Sequence, residues 1–411
     1  MPILLEEDLQ RPLPRMYRVR QQFDEIRLED VAGTVRAELA KPEIRALVKP
    51  GMRIAVGVGS RGIQNLYTIV ETTVNSLKEL GAEPFIVSAM GSHGGGTEEG
   101  QREVLAGYGI TEERLGVPVV TTVDTVYLGN CANGRPVWFD RAAYEADLIV
   151  PINRVKLHTD FVGSIQSGLC KMLVIGLGNH KGCSAVHEEA PEVFADAIEE
   201  AARLILQKAP VGFGIAILEN AYDKTYAVEA VPAEHLVERE KELVQIAKGN
   251  MPYIMLDEAD VIVCGAIGKD ISGAGFDPNI LGRSSVLKQF VLHIPRYQRL
   301  VLCDVTPASH GNGIGVGLFD VITKKVAEQL DLESMYANAI ACNCLGDASV
   351  PCTVDDEETA IRVALKCCRN IDRDHPRIIR IQNTLHLGEI EVSEALLDAV
   401  RADSRMSLIE N

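Results

Sequence analysis

The chain lacks any apolar run near the roughly 20 residues that a membrane-spanning helix needs. Its first residues, MPILLEEDLQRPLP, also lack the basic start and apolar stretch of a secretory signal. These two absences predict a cytoplasmic protein with no membrane partner. Cations are in short supply as well: 41 Lys and Arg against 58 Asp and Glu give a net charge of −17. Such a surface repels phosphate backbones and argues against nucleic acid as a partner, while a local basic pocket for a small anion stays compatible with it. There is no HExxH or HxxEH pair, which counts against a zinc hydrolase or lyase built on the chain's histidines. No internal repeat and no low-complexity segment is visible.

Ten cysteines are present, but nothing places them in an oxidising compartment. Cys264 and Cys303 sit in apolar strand-like runs, where a reduced thiol behaves as a small hydrophobe. Cys342, Cys344 and Cys352 match no zinc spacing. All of these read as buried free thiols.

What is present is a packed globular composition, 46% apolar and 24% charged over 411 residues, too long for one ordinary core. Short apolar runs of strand length alternate with helical patterns: RIAVGVGS, EPFIVSAM, VPVVTTV, ADLIVPIN and GFGIAILEN as strands, with helices between. The rhythm predicts two α/β domains with mostly parallel sheets. A charged helical stretch near residues 232–258 suggests a boundary that makes 1–255 the catalytic and cofactor-binding domain and 256–411 the second, with the active site in the cleft between them. In the second part VGLFDVITKKVAEQL reads as one helix. HGNGIGVG (310–317) departs from the dinucleotide fingerprint and reads as a tight turn.

Open α/β sheets bind ligands beyond the carboxyl ends of their strands. That rule selects GSR (59–61), GSHGGG (91–96), NRVKLH (153–158) and GKDISGAGFDPN (268–279). Arg61, His93, Arg154, Lys156, His158 and Lys269 all fall there. His93 lies in a glycine loop ahead of Thr97-Glu98-Glu99, a good helix start whose acids make it a poor phosphate cradle. Arg154 and Lys156 are cations that could hold a carboxylate and would favour the neutral, base-competent form of His158. Lys171 stands among apolar residues, a setting that favours a nucleophilic amine. His180 and His187 are helically spaced, although Gly176, Gly178 and Gly182 speak against a helix.

GSR, GSHGGGTEE, the histidine segment ending in SGLCK, and the Lys171–His187 spacing together resemble the nickel-pincer (LarA-type) lactate racemase superfamily of 2-hydroxyacid racemases and epimerases. The resemblance implies catalytic roles for His93 and His158 and covalent tethering of the cofactor, a pyridinium-3,5-bisthiocarboxylic acid mononucleotide carrying nickel, to Lys171. It implies nickel ligation by His187 rather than His180. Arg61, Ser60, Ser167 and Gly168 would complete the cofactor site, and Arg61, Lys269, Asp270 and Asn279 would bind substrate. The implied reaction is reversible hydride transfer through a 2-keto acid, inverting the centre with an acid/base on each face.

Two features depart from that pattern. The interval from His158 to Lys171 is longer than in lactate racemases, and the lactate-binding residues of the second domain have no clear match near 279–285. The first bears on the pairing of the acid/base histidines; the second points to a 2-hydroxy acid other than lactate, with a sugar-acid epimerase as one alternative. A cofactor-less protein that binds an anionic metabolite on the same fold is the other. Homo-oligomerisation is left open.

Overall fold

The computed structural model describes residues 3–60 and 62–410. The chain forms two compact units: a central unit, Glu25–Met251, and a terminal unit built from the residues on either side of it.

The central unit is a six-stranded sheet in the order Val119–Val120, Glu83–Ser88, Arg53–Val58, Leu148–Arg154, Phe213–Glu219, Thr225–Pro232. The first five strands are parallel and the last is antiparallel. Residues 54–58, 84–88 and 148–152 are buried throughout, which accounts for their continuous rather than alternating apolar runs. The helix Leu66–Glu79 covers the sheet with its apolar stripe, while the apolar face of Phe194–Lys208 packs on the hairpin and on the segment from Leu169 to His187. Each fully buried Ile, Val or Leu contributes on the order of 2 kcal/mol. Thr125–Asn130 and Pro136–Asp140 form the expected hairpin, outside this sheet.

The terminal unit has an eight-stranded sheet: Cys352–Val354, Val321–Thr323, Arg299–Leu302, Val261–Cys264, Ile378–Ile381, Glu389–Ser393, Met16–Gln21, Met406–Leu408. The first five are parallel, and the pairings beyond Ile378–Ile381 are antiparallel. Met16–Gln21 therefore belongs with the C-terminal part of the chain, where Val19 pairs with Ile390 and Leu408. A single cut near residue 255 does not describe this arrangement, because one strand of the second sheet comes from the other end of the chain. The run VGLFDVITKKVAEQL is likewise not one helix. β-branched Val321, Ile322 and Thr323 pair as a strand, and the Thr323 side chain then caps the helix Lys324–Gln329.

All ten cysteines are free. Cys264 is buried as expected, and burial pushes its thiol up to about 12. Cys342 and Cys352 are exposed instead, lying on a helix end and a short edge strand. The glycine run 310–317 forms tight turns, with Gly311 and Gly315 at positive φ. Among the described residues no helix is long and apolar enough to cross a membrane.

Candidate active site

Arg53–Val58 and Leu148–Arg154 are neighbours in the central sheet, yet the strands beyond them lie on opposite sides. Such a switch point opens a crevice beyond the strand ends, and Ser60 and His158 lie on the chain segments that follow these two strands.

Ser60 follows the first of these strands, and its Oγ is hydrogen-bonded to Nδ1 of His93. Tyr108 holds the Ser60 carbonyl through its hydroxyl at 2.9 Å. The loop carrying His93 is braced from below by the fully buried Gln101, whose Nε2 donates to the Gly91 carbonyl at 3.1 Å. Ser88 Oγ donates to the same side chain at 2.6 Å. Gly94 has φ +65°, and a Cβ there would lie 2.6 Å from the Gln101 nitrogen. Only glycine fits so close a backbone approach. Thr97 caps the helix Glu98–Gly107 by accepting the Gly100 N–H at 3.1 Å, as its position predicts.

His158 is fixed from three sides. Its backbone N–H donates to Gln166 at 2.8 Å, its ring stacks on Phe161 with centroids 4.2 Å apart, and its Nδ1 accepts the Asp160 N–H at 3.0 Å. Its Nε2 lies 2.5 Å from the Lys171 amine.

Lys171 ends the short helix Leu169–Lys171, followed by a π turn over Met172–Gly176 and the helix Asn179–His187. The glycines that spoke against helix are accommodated by this break: Gly176 closes the π turn and Gly178 precedes the second helix. π turns are rare and recur at functional sites. His187 directs Nδ1 to the Cys183 carbonyl at 2.7 Å, one turn earlier, and lies 3.5 Å from the Cys183 sulfur. The contact with Cys183 raises the imidazole pKa above its ordinary value. Burial alone would raise the Cys183 thiol, but hydrogen bonds from His187 and Ser92 bring it below its usual range. His187 also meets Phe194 edge-on at 5.2 Å, and Phe194 meets Phe161 at 4.8 Å. A pair of phenylalanines thus links the two histidines, and Ser92, next to His93, lies 3.8 Å from Cys183.

Of the remaining predicted residues, Arg61 lies outside the described residues. Ser167 pairs its backbone with Lys156 on the approach to Lys171, and Gly168 is buried immediately before the helix. Arg154 is ion-paired with the buried Glu219, which corrects its reading as an anion holder. His180 lines an open cavity with Arg135, Trp138 and Lys181. Lys269, Asp270 and Asn279 belong to the terminal unit. The Lys269 amine donates to Gly273 O at 2.7 Å and to Asn338, while Asp270 accepts from Thr306. Asn279 is fully buried, its amide bonded to Asp277 at 3.1 Å. Its side chain is part of the start of the helix Pro278–Leu281, not of a ligand surface.

Sequence reasoning missed Gln101, Tyr108, Phe161, Cys183, Phe194 and Glu240. Two carried a signal: Cys183 is one helical turn from His187, and Glu240 occupies the apolar face shared by Leu236, Val237, Leu243, Val244 and Ala247. Glu240 is fully buried, and burial pushes its carboxyl up to about 7.

Residues 15–196 match the lactate racemase N-terminal domain family. That stretch is similar to the lactate racemase N-terminal domain, and the chain as a whole shares its fold with a solved lactate racemase. A lactate racemase apoprotein from Thermoanaerobacterium thermosaccharolyticum shares the fold at TM-score 0.53 and 12% identity, over 90% of this chain and 99% of that one. A protein from Thermotoga maritima is similar at TM-score 0.50 and 13% identity, over 80% and 85% of the two chains. No curated protein sequence matches the chain. The matched stretch begins at the strand Met16–Gln21 of the terminal unit and runs into the helix Phe194–Lys208, so it includes Ser60, His93, His158, Lys171 and His187 but not Glu240.

Proposed function

We propose that this protein is an isomerase, a 2-hydroxyacid racemase or epimerase that uses a nickel-pincer nucleotide held by Lys171 and His187. The observation that carries the reading is the contact between His158 and Lys171. Nδ1 of His158 accepts the Asp160 N–H, so the proton of the neutral ring resides on Nε2. In that tautomer Nε2–H would donate to the Lys171 amine. Accepting a hydrogen bond is open only to an unprotonated amine, the form that bonds covalently to an acyl group.

The rest of the site fits the same cofactor. With Nδ1 engaged by the Cys183 carbonyl, His187 keeps Nε2 for a metal, the usual arrangement of a metal-ligating histidine. Among the described residues no three His, Cys, Asp or Glu side chains are grouped to hold a metal ion. A metal at His187 would take its other donors from a cofactor, which favours the pincer over a zinc site made of His93, His158 and His187. When bound, the cofactor supplies a hydride acceptor and donor for C2 of the substrate. The chain's own part is proton chemistry and orientation. His93, held by Ser60, exchanges the hydroxyl proton on one face of the substrate, and His158 would serve the other face from Nε2 once the Lys171 amine is bonded to the cofactor and Nδ1 is released from the Asp160 N–H. The phenylalanine pair keeps water from the space between His158 and His187. A 2-hydroxy acid other than lactate remains the expected substrate.

His187→Ala protein, produced with the cofactor-making enzymes, is expected to keep its covalent adduct and lose its nickel. Elemental analysis checks this, and stoichiometric nickel in the variant would remove His187 as the ligand.

A further inference from the structure

The segment from Lys171 to His187 is held near its Lys171 end and at the start of its second helix by buried carboxyl groups that take no part in the proposed reaction. At the Lys171 end Glu240 enters from the helix Leu236–Asn250, and its Oε2 accepts the Cys170 N–H at 2.8 Å. Gly168 leaves room for it: a Cβ there would lie 2.6 Å from the carboxyl carbon. The carboxyl is fully buried and lies against the Leu169 and Cys170 backbone, where burial raises its pKa. Before the second helix Asp140, also fully buried, accepts the Asn179 side-chain amide at 2.9 Å and the Ala143 N–H at 2.8 Å. Its own N–H donates to the Leu177 carbonyl. Asn179 adopts φ +51°, a left-handed conformation that costs free energy unless its surroundings impose it.

Between these two anchors the chain passes through the π turn, where regular helical hydrogen bonding is broken. The rotation and rise from Lys171 to His187 are then not dictated by one continuous helix but by what fixes each side of the break.

We propose that Glu240 and Asp140 are positioning residues that set the separation of Lys171 from His187, and with it the span between covalent anchor and metal ligand. The second half of that statement rests on the function proposed above; the first half concerns this chain alone.

Amide hydrogen exchange on the full-length protein tests the first half. Glu240→Met and Asp140→Leu fill the same space without an acceptor, whereas Glu240→Gln and Asp140→Asn keep one. The apolar variants are expected to exchange about tenfold faster over 169–172 and 177–180 respectively, as loss of a cap implies, with the rest of the central unit unchanged. The amide variants are expected to restore protection to within about twofold. Unchanged exchange in folded Glu240→Met and Asp140→Leu would overturn the proposal. If those variants fail to fold, the wild-type decides: the Cys170 amide is expected to outlast the neighbouring amides of the π turn, and equal or faster exchange there would overturn it.

A second arm uses protein made with cofactor available. Glu240→Met is expected to carry less nickel per covalent adduct than wild-type, with Glu240→Gln restoring the ratio. An unchanged ratio contradicts the spanning role. A wild-type protein with no adduct at all overturns the reading of Lys171, while the exchange result still stands on its own.

Discussion

Lys171→Ala protein, produced alongside the cofactor-making enzymes, carries no covalent adduct, and its racemase or epimerase activity falls by more than about a thousandfold, because the cofactor supplies the hydride chemistry. Intact-mass measurement checks the first part and a chiral assay the second. The expectation follows from the arrangement around the amine. With Asp160 at its other nitrogen, His158 turns Nε2 to the Lys171 amine, an arrangement that favours the unprotonated, nucleophilic amine. No other lysine is described with a histidine so placed. An adduct retained at a different lysine would sink the assignment. Loss of folding would confuse the result, but Lys171 is only half-buried at the end of a three-residue helix, and its removal leaves the apolar core of the unit intact.

Glu240→Gln is expected to change the pH dependence of stability by a large amount. The Glu240 carboxyl has a folded-state pKa of about 7 against an ordinary 4.5, with burial as the main cause. Because the folded value is raised, the group's contribution is fully present below pH 4.5 and is lost as pH rises through 7. The difference corresponds to about 3 kcal/mol in total, as an order of magnitude. Glutamine does not titrate, so the variant escapes that loss. Its melting temperature relative to wild-type should climb between pH 4.5 and 7 and level off above about 8. Asp140, whose carboxyl burial pushes up to about 6, is present in both proteins and cancels in the comparison. A difference that stays flat from pH 5 to 8 would show that Glu240 is already ionised in the folded state at pH 5, with no raised pKa. Calorimetric melts of the two proteins across the pH series supply the measurement.

Much of the fold was legible because its strands are buried on both faces and appear as unbroken apolar runs of strand length. The strand-end rule then led to Ser60, His93 and His158, and the apolar setting and family spacing led to Lys171; the structure brings their side chains into two hydrogen-bonded pairs, Ser60–His93 and His158–Lys171. Three things were hidden for identifiable reasons. Met16–Gln21 pairs with strands hundreds of residues later, and long-range pairing leaves no local trace. The segment through Gly176 and Gly178 is helical only because a π turn absorbs the glycines, a rare geometry that periodicity does not reveal. Glu240 looked like one more charge in a polar helix, although its position on the apolar face was there to be read. Asn279 lies in a strand-end loop as expected, but its side chain is buried against Asp277, whose carboxylate caps the helix Pro278–Leu281.

The central claim is that Lys171 carries a covalent cofactor whose metal is held by His187. The most direct measurement is intact mass together with nickel content on the wild-type protein made with the cofactor supplied. The account predicts one adduct per chain, mapped by peptide analysis to Lys171, with one nickel that is lost in His187→Ala. An unmodified chain without nickel under those conditions would contradict it.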